Sequence, residues 1–121
     1  MIKIRKSTKY DLEERTFIFA KQCRDFVKKL PKTISDIEYG KQLIRSSSSQ
    51  AANYIEANEA LSKKDFVYRI RVCRKETKES NLWLRLLDTG ANGSLIREKQ
   101  TLIDEAIELR KIYSSIFNKS N

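Results

Sequence analysis

Residues 42–57 read QLIRSSSSQAANYIEA. Four consecutive serines ordinarily mark a loop. Here Leu43, Ile44, Tyr54 and Ile55 flank them at helical spacing, and no Gly or Pro stands between. Ile37, Gly40, Ile44, Ser47, Ala51, Tyr54 and Asn58 follow one another at intervals of 3, 4, 3, 4, 3 and 4. That is a single helix face, and the serines keep its period while making its middle narrow. Small side chains let a neighbouring helix come close, and an interior serine can place its hydroxyl on the carbonyl four residues back. The stretch is therefore predicted as the middle of a tightly packed helix. Ser35-Asp36-Ile37-Glu38 reads as its capping box.

The same period runs outward in both directions. Upstream, Leu12, Thr16, Phe19, Cys23, Phe26 and Leu30 lie 4, 3, 4, 3 and 4 apart, and Pro31 stops the helix they define. Downstream, Ser62 caps a helix whose face is Phe66, Ile70, Cys73, Thr77, Ser80, Leu84 and Leu87. DTGANGS at 88–94 ends it, with Gly90 as a left-handed residue. Ser94 is the expected cap of a last helix presenting Leu95, Leu102, Ala106, Leu109, Tyr113 and Ile116. The expected helices are thus 11–30, 35–60, 63–88 and 95–117. A basic arm over 1–10 precedes them and a tail over 119–121 follows. Short connections favour an all-α, up-down-up-down antiparallel four-helix bundle, and the alternating spacing suits its shallow crossing angles.

Composition agrees. A chain of 121 residues with 40% apolar and 34% charged residues suits one small soluble domain. Three Gly and one Pro are few for an all-β protein. TFIFA at 16–20 is far too short to span a bilayer, and no apolar run follows the basic opening as a signal peptide requires. Cys23 and Cys73 fall on apolar faces and read as reduced core residues of a cytoplasmic protein, with no membrane partner.

Several chemistries are excluded or unsupported. There is no histidine, which removes the usual general base near neutral pH and the commonest metal ligand. A di-metal bundle site built on Glu-x-x-His therefore fails. TGANG lacks the Lys-Ser/Thr of a nucleotide loop. Arg45, Asn53, Glu56 and Glu79 are expected to form a structural polar network, because no nucleophile–base pair accompanies them. We expect no catalytic residue, no metal site, no cofactor and no enzyme.

Charge is the positive signal. The net charge of +9 attracts polyanions. Between Lys63 and Arg85 eight basic residues face three acids, and Lys64, Arg71, Lys78 and Arg85 recur every seven residues as one stripe. Such a row can track phosphates along a nucleic-acid backbone. With Arg74 and with Lys21, Arg24 and Lys28 of the first helix it makes the expected nucleic-acid contact set, RNA ahead of DNA. No helix-turn-helix, zinc-finger or RNA-binding aromatic signature supports base reading. Tyr68, Val72, Leu82 and Leu86 form a second apolar line on the third helix, nearly opposite Leu84, and are expected to be a subunit interface.

QLIRSSSSQAANYIEA, then SKKDF, then Glu79 and Leu84 at their spacing, resembles the bacterial four-helix-bundle family first noticed as reading frames in intervening sequences of 23S ribosomal RNA genes, also labelled S23 ribosomal proteins. The matching positions are Arg45, Ser46, Ser47, Ser49, Asn53, Glu56, Ser62 to Phe66, and Glu79. Ala57 stands where the family often has Gly, and Gln50-Ala51 where it often has Ile-Pro. The resemblance implies a bundle that assembles as a homopentamer. It also implies a place near a branch that serves as the basic accessory protein of the reverse transcriptase in diversity-generating retroelements. The combined expectation is a non-enzymatic, oligomeric basic bundle that binds nucleic acid through phosphate contacts. The alternative is a scaffold that docks an acidic protein.

Overall fold

The computed structural model of the chain describes the backbone of residues 2–120 and the side chains of residues 12–120. Among the described residues the chain is all-helical: α1 (Ile2–Lys28), α2 (Ile34–Asn58), α3 (Lys63–Leu86) and α4 (Gly93–Ser120). Each helix packs on the next and α4 closes against α1, while the diagonal pairs meet only through long core side chains such as Gln50 and Tyr113. Paired residues run in opposite directions at each seam. Glu13 meets Asn58 while Val27 meets Gly40. Ser46 meets Ser80 while Asn53 meets Arg69. The result is the antiparallel up-down-up-down ring of helices that short loops favour.

The serine tract is helical throughout. Ser46 and Ser47 are fully buried, and the Ser46 hydroxyl lies 2.8 Å from that of Ser80 on α3. Ser48 points outward and donates to the carbonyl of Ile44 at 2.8 Å. The Ser46 and Ser80 hydroxyls thus sit inside the α2–α3 seam, and α2 and α3 share the most extensive contact in the bundle. At the other flank of α2, a Cβ on Gly40 would stand 2.8 Å from Val27 Cγ1, so α1 also approaches closely there.

The buried arc of α2 is rotated from the expected one. Gly40, Ser47 and Tyr54 face inward, but Leu43, Ser46, Gln50 and Ala57 join them, while Ile37 and Ile44 are exposed and Ala51 is half-buried. The cause is asymmetry between seams. Because α3 packs on α2 more closely than α1 does, the arc turned toward α3 is covered and the opposite edge is left open. Gln50 fills the centre: its Nε2 donates to the carbonyls of Thr16 and Ser47, both at 3.0 Å, and its Oε1 accepts from the Tyr113 hydroxyl at 2.6 Å. One fully buried amide therefore joins α1, α2 and α4. The faces expected on α1, α3 and α4 are buried as read, with Phe66 and Ile116 half-buried.

Local signals also differ. The cap of α2 is Thr33, whose hydroxyl accepts from the backbone N–H of Asp36 at 3.2 Å, and Ser35 lies inside the first turn. Asp36 is then free to accept from the Asp88 N–H at 2.8 Å, which ties the start of α2 to the end of α3. Its buried carboxylate also sits at the positive end of α2. The cap of α4 is Asn92, accepting from the Leu95 N–H at 3.1 Å, and Ser94 is a helical residue. Gly90 does adopt a left-handed conformation (φ 65°), but in the turn beyond the end of α3. The expected N-terminal arm is helical from Ile2 and continuous with α1, and the side chains of residues 1–11 lie outside the described residues. The expected tail is likewise the last turn of α4, up to Ser120, with Asn121 outside the described residues.

Candidate nucleic-acid interface

Helix α3 turns Ile70, Cys73, Thr77, Ser80 and Leu84 into the core. At 100° per residue, Arg74 then falls on the flank toward α4, and Glu76 and Glu79 fall on the flank toward α2. Lys64, Arg71, Lys78 and Arg85 lie on the outer side, all four exposed. Between α3 and α4 runs an open groove of about 740 Å³. Arg71, Arg74, Lys75 and Lys78 form its α3 wall together with Tyr68 and Val72, and Arg110 and Ser114 form its α4 wall. No carboxylate lines it.

The five groove cations differ from most of the other arginines. Among the described residues none of Arg71, Arg74, Lys75, Lys78 and Arg110 has a carboxylate within 4.0 Å. Arg74 is half-buried, with its guanidinium 4.6 Å from the centroid of Phe117, an arrangement that fixes the charge without neutralising it. By contrast, Arg15 binds Glu105 through two hydrogen bonds of 2.7 and 2.9 Å. Arg45 holds the buried Glu76 and the half-buried Glu79 at 3.1 and 3.2 Å. Arg69 donates to the side-chain carbonyl of Asn53 at 2.9 Å.

The structure divides the expected contact set. Lys21, Arg24 and Lys28 are exposed on α1, which is diagonal to α3 and does not pack beside it. Arg24 is paired with Asp25 at 2.9 Å, and that contact holds the Asp25 carboxyl below its ordinary pKa. Arg71, Arg74 and Lys78 share the groove, while Lys64 and Arg85 continue the exposed stripe at either end. Lys75 and Arg110 are added. Lys75 was visible as one more charge on α3, but Arg110 gains its place only from the pairing of α3 with α4.

The expected polar network is also split. Arg45 and Glu79 meet with Glu76, Asn53 joins Arg69 and the Ser49 carbonyl, and Glu56 is exposed outside both groups. Of the expected interface line, Tyr68, Leu82 and Leu86 are exposed and Val72 is half-buried. Tyr68 and Val72 line the cationic groove itself. A second apolar line, Ile37, Ile44 and Ile55, is exposed on α2.

The thiols are poorly placed for reaction. Burial pushes both Cys23 and Cys73 up to about 12, so neither is a thiolate near neutral pH. Among the described residues no cluster of three His, Cys, Asp or Glu could hold a metal ion. No described helix is long and apolar enough to cross a membrane.

The model of one protein family, described as 23S rRNA-intervening sequence protein, matches residues 8–115. No curated protein matches the sequence significantly. The chain is similar in structure to a protein of unknown function from the S23 ribosomal protein family of Bacteroides thetaiotaomicron. The two share 27% identity and a TM-score of 0.72, over 87% of this chain and 96% of that one.

Proposed function

The chain belongs to the 23S rRNA-intervening sequence protein family, and we propose that it binds nucleic acid, RNA ahead of DNA, through phosphate contacts in the α3–α4 groove. One observation carries this reading: five cations from two helices line one groove with no carboxylate among them. Holding like charges together costs free energy, and a polyanion that supplies the missing partners and releases its counterions offsets that cost. The family description names a gene location, an intervening sequence in 23S rRNA, and adds no binding activity of its own.

The direct test is binding to a structured RNA at two salt concentrations. Five ion contacts on B-form DNA correspond to a slope of about −4.5 in log K against log salt, from −0.9 per contact. An affinity indifferent to salt excludes the phosphate mechanism. Partners that survive nuclease treatment of a cell extract favour the scaffold reading, in which an acidic protein takes the same groove.

Self-association is the second part of the reading. It is favoured by the exposed apolar residues, Leu82 and Leu86 on α3 and Ile37, Ile44 and Ile55 on α2. Two copies joined face to face across Tyr68 and Val72 would bring groove cations against groove cations, whereas the unlike faces that meet in a cyclic homopentamer would not. Light scattering should give a mass well above 14.2 kDa, as a homopentamer requires. A monomer removes this part of the reading only. A reverse-transcriptase gene beside this one would select an accessory role, and flanking 23S sequence would select the other branch.

A further inference from the structure

The groove contains more than charge. Tyr68 stands at its edge with 57% of its surface exposed, beside the cationic side chains. The Arg69 guanidinium lies 5.7 Å from the ring centroid, and Arg69 is itself held by Asn53 on α2. The ring is thus supported from the α2 side and remains largely open to solvent. Arg71, Arg74, Lys75 and Lys78 follow along the same helix within roughly 15 Å, at 1.5 Å rise per residue. Arg110 stands on the opposite wall.

We infer that the α3–α4 groove takes a single-stranded segment of nucleic acid, with one base stacked on Tyr68 and the neighbouring phosphates held by the groove cations. This deepens the phosphate-contact reading above and rests on it. The argument is one of shape and chemistry. Cations on both walls can surround one backbone. A duplex keeps its bases stacked inward and offers Tyr68 no free face, whereas an unpaired base carries an exposed π-face that an aromatic side chain can accept whatever the base. An acidic peptide satisfies the cations and leaves the ring unused. Val72 adds an apolar surface beside the ring, and the exposed Lys64 and Arg85 lie on the stripe beyond either end of the groove, where a longer strand would pass.

The test compares a short labelled single-stranded RNA with the same strand annealed to its complement, by fluorescence anisotropy with the full chain at low salt. The single strand should bind at least tenfold more tightly than the duplex. Tyr68→Ala should weaken single-strand binding by roughly 5- to 150-fold, the range of one stacked base. Tyr68→Phe should retain it, because the ring and not the hydroxyl makes the contact. The exposure of Tyr68 allows both variants to fold, which an unchanged circular dichroism melting curve checks. Duplex binding as tight as single-strand binding, or a Tyr68→Ala variant that binds the single strand like the parent, overturns the inference and leaves the phosphate reading standing. No binding of either RNA overturns both.

Discussion

The two flanks of α3 treat their cations in opposite ways. Toward α2, Arg45 is closed onto Glu76 and Glu79, and Arg69 is held by Asn53 with Asp65 one turn away at 3.9 Å. Toward α4, Arg71, Arg74, Lys75, Lys78 and Arg110 face one another around an open groove. The first flank spends its charge on the fold and the second leaves it available. Net charge alone therefore does not locate a binding surface in this protein. The pairing of each cation distinguishes the two flanks.

Substitutions can break that contrast. The largest expected effect lies in the seam between α2 and its neighbours. Gln50→Leu leaves the buried Tyr113 hydroxyl without its acceptor and removes the amide's bonds to the carbonyls of Thr16 and Ser47, which keep their backbone helix donors. Urea denaturation should show a loss of about 1–3 kcal/mol, the cost of one unsatisfied buried group. A variant of undiminished stability would mean that the amide is not the hub described above.

Next comes the groove. The double reversal Arg71→Glu/Lys78→Glu should lower RNA affinity at least a hundredfold in a titration. It should leave the urea midpoint unchanged or slightly raised, since exposed substitutions usually act within about 0.5 kcal/mol and two repelling charges are removed. Equal losses of stability and of binding would erase the distinction between the two flanks.

The complementary experiment uses the α2 flank. Arg45→Ala leaves Glu76, whose side chain is only 8% exposed, without its cation. The expected cost is about 1 kcal/mol, discounted because Arg45 is itself half-exposed, with RNA affinity within twofold of the parent. A binding defect as large as that of the groove variant would mean that both flanks contact the ligand.

The smallest effect is a pH dependence. Burial raises the Cys23 and Cys73 thiols from 9.0 to about 12 and raises Tyr113 well above its ordinary value. The folded state therefore holds the neutral forms. Their contribution is intact below pH 9, the unfolded value, and is lost as pH climbs toward 12. The thermal midpoint should fall progressively above pH 9, and Cys23→Ala/Cys73→Ala should flatten part of that fall. A midpoint constant to pH 11 would mean that these groups titrate as if exposed.

The fold was largely legible in the sequence because its signals are local. Leu12, Thr16, Phe19, Cys23, Phe26 and Leu30 announced the buried face of α1 by spacing alone, and every one of them is buried. The unbroken period through Ser46 to Ser49 announced a helix where composition suggested a loop. Ile37 and Ile44 misled because periodicity fixes a stripe only to within one residue on either side. Which edge of that stripe is covered depends on how closely each neighbour packs. The caps failed in the same way: Thr33 and Asn92 compete with Ser35 and Ser94 within two residues, and chain direction on entry to the helix chooses between them.

The candidate site was legible only in part. The heptad spacing of Lys64, Arg71, Lys78 and Arg85 put them on one stripe, and they are all exposed. That Lys21 and Lys28 sit on a helix diagonal to that stripe, or that Arg110 faces it, depends on which helices are neighbours in space.

The sequence by itself determined four helices, the buried faces of three of them and the excess of positive charge, because helical period and net charge are properties of short segments. Only the tertiary structure decided which cations are consumed and which remain open. Arg45 finds Glu76 and Glu79 across 31 and 34 residues of chain, and Arg15 finds Glu105 across 90. A charge acts through its neighbours within a few ångströms, and those neighbours are chosen by packing.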